Sequence, residues 1–177
     1  MVAPAEFSRV VKIRQIGNKP LKLAASEEEC RALARRFQIE KILILEAEVD
    51  LEASGQDASA QGQVIAEVEQ ICAVTGEPFV HQIDEELNLL FVPVRTYAAS
   101  NEDDPLEVEL DFEDADEIEY EGDGFDIGEA VAQTLALAID PYAEGPGAAT
   151  YRAKIGLSDD QAPRGPLAEM LKGLSRQ

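Results

Sequence analysis

Apolar and polar residues alternate with period two along three long stretches of this chain, and two shorter stretches follow the 3.6-residue period of a helix. Lys41 to Ala53 reads KILILEAEVDLEA, a strand whose second half turns Glu46, Glu48, Asp50 and Glu52 outward and Ala47, Val49, Leu51 and Ala53 inward. A polar turn over Ser54 to Gln61 leads to a second strand, Gly62 to Val74, with Val64, Ala66, Val68 and Cys72 on one side and Glu67, Glu69 and Ile71 on the other. Thr75-Gly76-Glu77-Pro78 predicts a hairpin turn, and Phe79 to Val92 a third long strand. Upstream, Phe7 to Ile16 alternates as a strand and Asn18-Lys19-Pro20 marks a turn. Asn101 to Pro105 breaks the pattern, and Val108 to Phe112 and Ile118 to Tyr120 predict short edge strands whose charges discourage aggregation.

Ser26 followed by Glu29 is a capping-box arrangement, predicting a helix from about Glu27 to Phe37 with Cys30, Leu33, Ala34 and Phe37 on its apolar face. Asp126 with Glu129 is a second capping signature ahead of the apolar run VAQTLALAI, which predicts a largely buried helix ended by Pro141. The expected fold class is α+β: an antiparallel β-sheet or partly closed meander of five to six strands, two main helices and a short C-terminal helix. Residues 1–142 are expected to form one domain and 143–177 a Gly/Pro-containing tail. In the tail Leu167, Met170, Leu171 and Leu174 fall at helical spacing after Pro166, as a helix that packs on the domain or docks a partner.

Charge changes the picture more than length does. The 177 residues carry 36 acids and 15 bases, net −21, and between Ile42 and Tyr151 there are 28 acids and one base, Arg95. Nine bases lie in residues 1–41 and five after Tyr151, so a positive head precedes a negative body. Such a body repels phosphates and attracts cations, which leaves nucleic-acid contact to the ends. The N-terminus lacks a basic-then-apolar leader and no stretch approaches the roughly 18 apolar residues of a membrane span, so a soluble, cytoplasmic protein without membrane partners is expected. Cys30 and Cys72 then read as free buried thiols.

Candidate chemistry is sparse. Gly122-Asp123-Gly124-Phe125-Asp126-Ile127-Gly128 fails as a dinucleotide fingerprint, because the third glycine is one residue late and the flanking acids would repel a pyrophosphate. Glu113-Asp114-Ala115-Asp116-Glu117 lacks the glycine and distal glutamate of a calcium loop. His81, the sole histidine, sits in a predicted strand without an evident nucleophile and reads as a strand-surface residue. No small-molecule substrate is evident.

Two charged groups remain as binding candidates. Arg9, Lys12, Arg14, Arg31, Arg35 and Arg36 could converge on phosphate, or pair with acids of the same fold. Glu102, Asp103, Asp104, Glu107, Glu109, Asp111, Glu113, Asp114, Asp116, Glu117, Glu119, Glu121 and Asp123 form an acidic segment suited to a basic protein.

Cys72-Ala73-Val74-Thr75-Gly76-Glu77-Pro78-Phe79 resembles a strand-turn-strand of the YceD family, the large ribosomal RNA subunit accumulation proteins, in which Cys-x-x-Cys precedes a proline. The similarity continues to Asp126-Ile127-Gly128-Glu129, to Leu137 through Asp140-Pro141-Tyr142, and to Pro166 through Leu171. Its positions are Cys72, Thr75, Pro78, Asp126, Asp140 and Pro141. Thr75 stands where many relatives have the second cysteine, and no cysteine lies near Asp140. Cys30, Cys72 and His81 therefore supply at most three of the four ligands of a zinc site, and neither metal nor cofactor is expected. The resemblance implies a non-enzymatic role in large-subunit rRNA accumulation and ribosome assembly. The acidic segment would engage a basic ribosomal protein or a precursor particle. Direct rRNA binding through the head is the alternative, with a metal-dependent RNA-processing nuclease after it.

Overall fold

The alternating stretches become one long sheet, and the helical stretches lie on one of its faces. The computed structural model describes residues 5–94 and 115–156. In chain order the elements are β1 (Val10–Lys12), a 3-10 turn (Ile13–Gln15), β2 (Leu21–Ala24), α1 (Glu27–Phe37), β3 (Lys41–Ser54), β4 (Asp57–Ile71), β5 (Pro78–Pro93), β6 (Asp116–Tyr120), β7 (Gly124–Asp126), α2 (Ile127–Ala138) and α3 (Ala148–Ile155). Five strands form a sheet in the order β2-β3-β4-β5-β6, and β1 pairs with β7 in a separate two-stranded ribbon.

The fold is α+β as expected and β2 to β5 pair antiparallel, β3-β4-β5 as a meander, but a parallel edge strand makes the five-stranded sheet mixed. β6 runs parallel to β5, with Leu89 opposite Asp116 and Phe91 opposite Ile118. Parallel neighbours need a crossover of a dozen or more residues, and residues 94–115 supply that length. The turn expected over residues 54–61 shrinks to Gly55-Gln56: Ser54 pairs with Asp57, and Gly55 takes a φ of 67° that favours glycine. The alternation in fact continues through that stretch, with Ala58 and Ala60 buried inward. Their small size made the segment read as loop.

The strand expected over Phe7 to Ile16 is reduced to Val10–Lys12, because its partner β7 offers only three residues before α2 begins and the chain then tightens into the 3-10 turn. The sheet edge is taken instead by β2, four residues directly after Pro20 that pair with Glu46 to Val49. The predicted strand Val108 to Phe112 and the C-terminal helix of Leu167 to Leu174 lie outside the described residues. Residues 143–156, read from the sequence as the start of a tail, hold α3 and place Ala143 and Ala148 in buried positions.

α1 has the expected bounds and a closed capping box, since the Glu29 N–H donates to Ser26 Oγ at 3.3 Å and the Ser26 N–H to Glu29 Oε2 at 2.8 Å. These bonds satisfy backbone donors that a helix start would otherwise leave unpaired. The core lies between the helices and the inward side of the sheet. Leu33, Leu45, Val49, Val64, Val68, Leu87, Ile127, Val131 and Leu135 are its fully enclosed aliphatics, with Phe7 and Phe91 beside them. Phe91 stacks on Phe125 with ring centroids 3.9 Å apart, joining β5 to β7 just ahead of α2. Cys30 and Cys72 are both free and buried.

Candidate functional site

The basic head does converge, but largely on carboxylates of its own fold. Arg9 donates in bidentate fashion to Glu29 at 2.7 and 3.0 Å. Lys12 meets Asp123 at 2.8 Å, Arg31 meets Glu27 at 3.0 Å, and Lys22 and Lys41 meet Glu48 and Glu69. Arg36 forks onto Glu129 at 2.7 and 2.9 Å and also reaches Glu6 at 3.0 Å, tying α1 to α2 and to the N-terminal segment. The Arg9 guanidinium pulls the Glu29 carboxyl down to about 2, against the opposing effect of its partial burial. Arg36 likewise lowers Glu129, and Lys12 lowers Asp123. Arg14 and Arg35 make no ion pair among the described residues, and Arg35 Nε donates only to the Arg31 carbonyl at 3.3 Å.

Asp126-Ile127-Gly128-Glu129 is an architectural latch. Asp126 accepts four hydrogen bonds: from the N–H groups of Gly128 and Glu129, capping α2, and from Ser8 Oγ and the Arg9 N–H. A Cβ on Gly128 would stand 2.6 Å from the Phe7 carbonyl and 2.8 Å from the Arg9 nitrogen, so glycine permits the N-terminal segment to lie against α2. The reciprocal bond expected of Glu129 does not form, because its carboxylate is committed to Arg36 and to Gln133.

The remaining positions of the motif gather at the opposite end of α2. The Cys72 N–H donates to Glu77 O and the Gly76 N–H to Cys72 O, both at 2.9 Å, closing the turn between β4 and β5. The Thr75 N–H donates to Cys72 Sγ at 3.4 Å. Hydrogen bonds led by the Thr75 side chain, with the N–H groups of Thr75, Gly145 and Val74, bring the Cys72 thiol down to about 7 against the effect of burial. Asp140 Oδ1 accepts from the Tyr142 N–H at 2.8 Å across Pro141, and the Asp140 carbonyl accepts from Gln70 Nε2 at 3.1 Å. Ala73 N–H to Ala143 O at 3.0 Å completes the seam.

His81 belongs to this seam and is not the plain surface residue the sequence suggested. It is half-buried, its Nε2 lies 2.6 Å from the Oε1 of the buried Gln70, and its ring stacks on Phe79. The period-two pattern places residue 81 inward, which was the available signal. The turn presents one thiol with Thr75 opposite it, a donor set that does not fit tetrahedral zinc. Among the described residues no group of three or more His, Cys, Asp or Glu is placed to hold a metal ion.

Of the acidic segment, five residues fall among the described ones. Glu102, Asp103, Asp104, Glu107, Glu109, Asp111, Glu113 and Asp114 lie outside the described residues. Asp116, Glu117 and Glu119 sit on β6, while Glu121 and Asp123 flank the turn into β7. Register places Glu117 opposite Leu90 and Glu119 opposite Val92, so both point to the sheet face away from the helices. The same face carries Glu46, Glu48, Asp50, Glu52, Glu67, Glu69, Asp84 and Glu86. One side of the sheet is therefore negative from β3 to β6.

Helices on one side of a mixed five-stranded sheet, with carboxylates across the other, define an acidic α+β protein whose distinctive chemistry is surface charge. The sequence pattern of the family described as Large ribosomal RNA subunit accumulation protein YceD matches residues 60–152, and the chain belongs to that family. The matched span runs from β4 through the Cys72 turn, the acidic stretch, α2 and the Asp140 turn into α3. No curated protein matches the chain, and no solved structure does. No helix among the described residues is long and apolar enough to cross a membrane.

Proposed function

We propose that this protein is a non-enzymatic assembly factor that supports accumulation of large-subunit ribosomal RNA by binding a basic ribosomal protein or a precursor particle. Family membership sets the process. The observation that favours a basic partner over RNA is the distribution of charge left after internal pairing. Arg9, Lys12, Arg31 and Arg36 are occupied by Glu29, Asp123, Glu27 and Glu129, while on the outward sheet face carboxylates outnumber the two cations, Lys22 and Lys41, which are themselves paired there with Glu48 and Glu69. A phosphate backbone approaching that face meets repulsion, whereas a lysine-rich protein meets attraction that steers and orients it.

Affinity capture from lysate at low and moderate salt, identifying both protein and RNA, tests the reading. Lysine-rich ribosomal proteins should be retained at low salt, released as salt rises, and lost when the acids of Glu102 to Asp123 become Asn and Gln. Unchanged capture by that variant refutes the role of the segment. Retention of rRNA that disappears on reversing Arg14 and Arg35 would move the contact to the head. Reproducible cleavage of precursor RNA with magnesium or manganese would overturn the non-enzymatic assignment.

A further inference from the structure

The outward face of β3, β4 and β5 is not uniformly polar. Ile44, Ile65 and Val80 stand on it 45%, 37% and 49% exposed, around a shallow depression of about 430 Å³ whose floor includes Glu67 and Gln82. The register explains the grouping: Ile44 lies opposite Glu67 and Ile65 opposite Glu46, so the two isoleucines are diagonal neighbours, and Glu67 is in turn opposite Gln82. A bulge between Ile42 and Ile44 shifts the pairing there and leaves Leu43 47% exposed at the margin. Toward the other end of β5 the same face carries Leu90 and Val92, which are buried, so the open part is the end holding Ile44, Ile65 and Val80.

Carboxylates border this apolar patch. Glu46 and Asp84 flank Ile65 on the two neighbouring strands, and Glu67 separates Ile44 from Gln82. Among the described residues Glu46 and Glu67 make no ion pair, and Asp84 accepts one hydrogen bond from Gln63. A sheet face with three apolar side chains at one end and unneutralised carboxylates beside them has its complement in an apolar ridge flanked by cations. A helix is about 10 Å wide, and three adjacent strands span about 9.6 Å between their outer axes, so one helix covers β3 to β5.

We infer that this end of the sheet docks a lysine- or arginine-rich amphipathic helix of a protein partner, seating its apolar stripe over Ile44, Ile65 and Val80 and its flanking cations against Glu46, Glu67 and Asp84. This rests on the reading of a basic protein partner and gives it a second point of contact in addition to the acidic stretch before β6. Nucleic acid is disfavoured at the same place by those carboxylates.

The test uses the full chain and two synthetic 18-residue alanine-based helical peptides. One carries a leucine stripe flanked by lysines, and the other has serine in place of each leucine. Binding is followed by fluorescence anisotropy at low salt, and the contact is mapped by amide chemical-shift changes. The leucine peptide should bind more tightly than the serine peptide, with shifts concentrated in β3 to β5. Ile65→Ser and, independently, Val80→Ser should each weaken the leucine peptide roughly tenfold, the worth of one buried aliphatic side chain, and leave the serine peptide unchanged. The triple variant Glu46→Gln, Glu67→Gln, Asp84→Asn should weaken both peptides and flatten the salt dependence.

Equal binding of the two peptides, or shifts confined to other elements, overturns the location and leaves the basic-partner reading standing. Failure of both peptides to bind at low salt removes both. A protein that light scattering shows to be a dimer, dispersed by Ile65→Lys, would assign the patch to a second copy and overturn the proposal.

Discussion

Glu29 does three jobs at once, and its removal has a pH signature. Its carboxylate accepts the Ser26 N–H, receives both guanidinium nitrogens of Arg9, and sits in the first turn of α1, where negative charge is favoured. Replacement by Gln keeps an acceptor for Ser26 and deletes the charge. A carboxyl held at about 2 against an ordinary 4.5 corresponds to at most about 3.5 kcal/mol, at about 1.4 kcal/mol per tenfold. The pair is partly open, with side chains 35% and 21% exposed, so screening reduces the expected loss to about 1–2 kcal/mol. Because the folded-state value is depressed, the stabilisation is complete above about 4.5 and is lost as pH falls toward about 2. Urea unfolding of wild type and Glu29→Gln at pH 7, 5, 4 and 3 should therefore show a gap that is constant at the two higher values and narrows at the two lower. A gap of less than about 0.3 kcal/mol at pH 7, or one that does not change with pH, would refute the reasoning.

Asp126→Ala strips the cap of α2 together with the acceptor for Ser8 and Arg9, and should cost about 2 kcal/mol in denaturant unfolding; a loss under about 0.5 kcal/mol would show that the latch is not structural. Gly128→Ala drives a methyl into the backbone of residues 7–9 and should destabilise by about 1–3 kcal/mol. Gly145→Ala, whose new methyl meets the Phe79 ring at 3.0 Å, should cost less because a side chain can yield, and the reverse ranking of melting temperatures would contradict this account. Thr75→Val should move the Cys72 thiol from about 7 toward its ordinary 9.0, read as thiolate absorbance at 240 nm against pH, and an unmoved titration would show that the side chain of Thr75 is not the cause.

The long strands and both capped helices were legible because each rests on a local rule: period-two alternation in β3 to β5, the Ser26–Glu29 box for α1, and Asp126 ahead of an apolar run for α2. What escaped depended on partners distant in sequence. β6 reads as a strand, but its parallel alignment with β5 is set by a crossover whose direction leaves no periodic mark. Glu129 looks like a capping residue, yet Arg36, on another helix, outcompetes the backbone for it. The basic head reads from the sequence as cations that could converge on phosphate or pair internally, and which carboxylate each one meets is set only by the fold. The acidic residues were counted from sequence, while their union on one sheet face emerged only from register.

The parallel attachment of β6 also bears on the order of folding. β3, β4 and β5 are joined by short turns, so their ladders grow by zippering neighbours. β6 can join only once the 22-residue connection between β5 and β6 is closed, an entropic cost of about 2.7 kcal/mol by the length scaling of chain closure. The hydrogen bond from the Tyr120 hydroxyl to the Gln56 carbonyl, in the turn between β3 and β4, forms only once that loop is closed. Kinetically, then, the sheet is a three-stranded nucleus with a late edge, and conservative truncations of Ile118 or Tyr120 should accelerate unfolding while leaving the folding rate nearly unchanged.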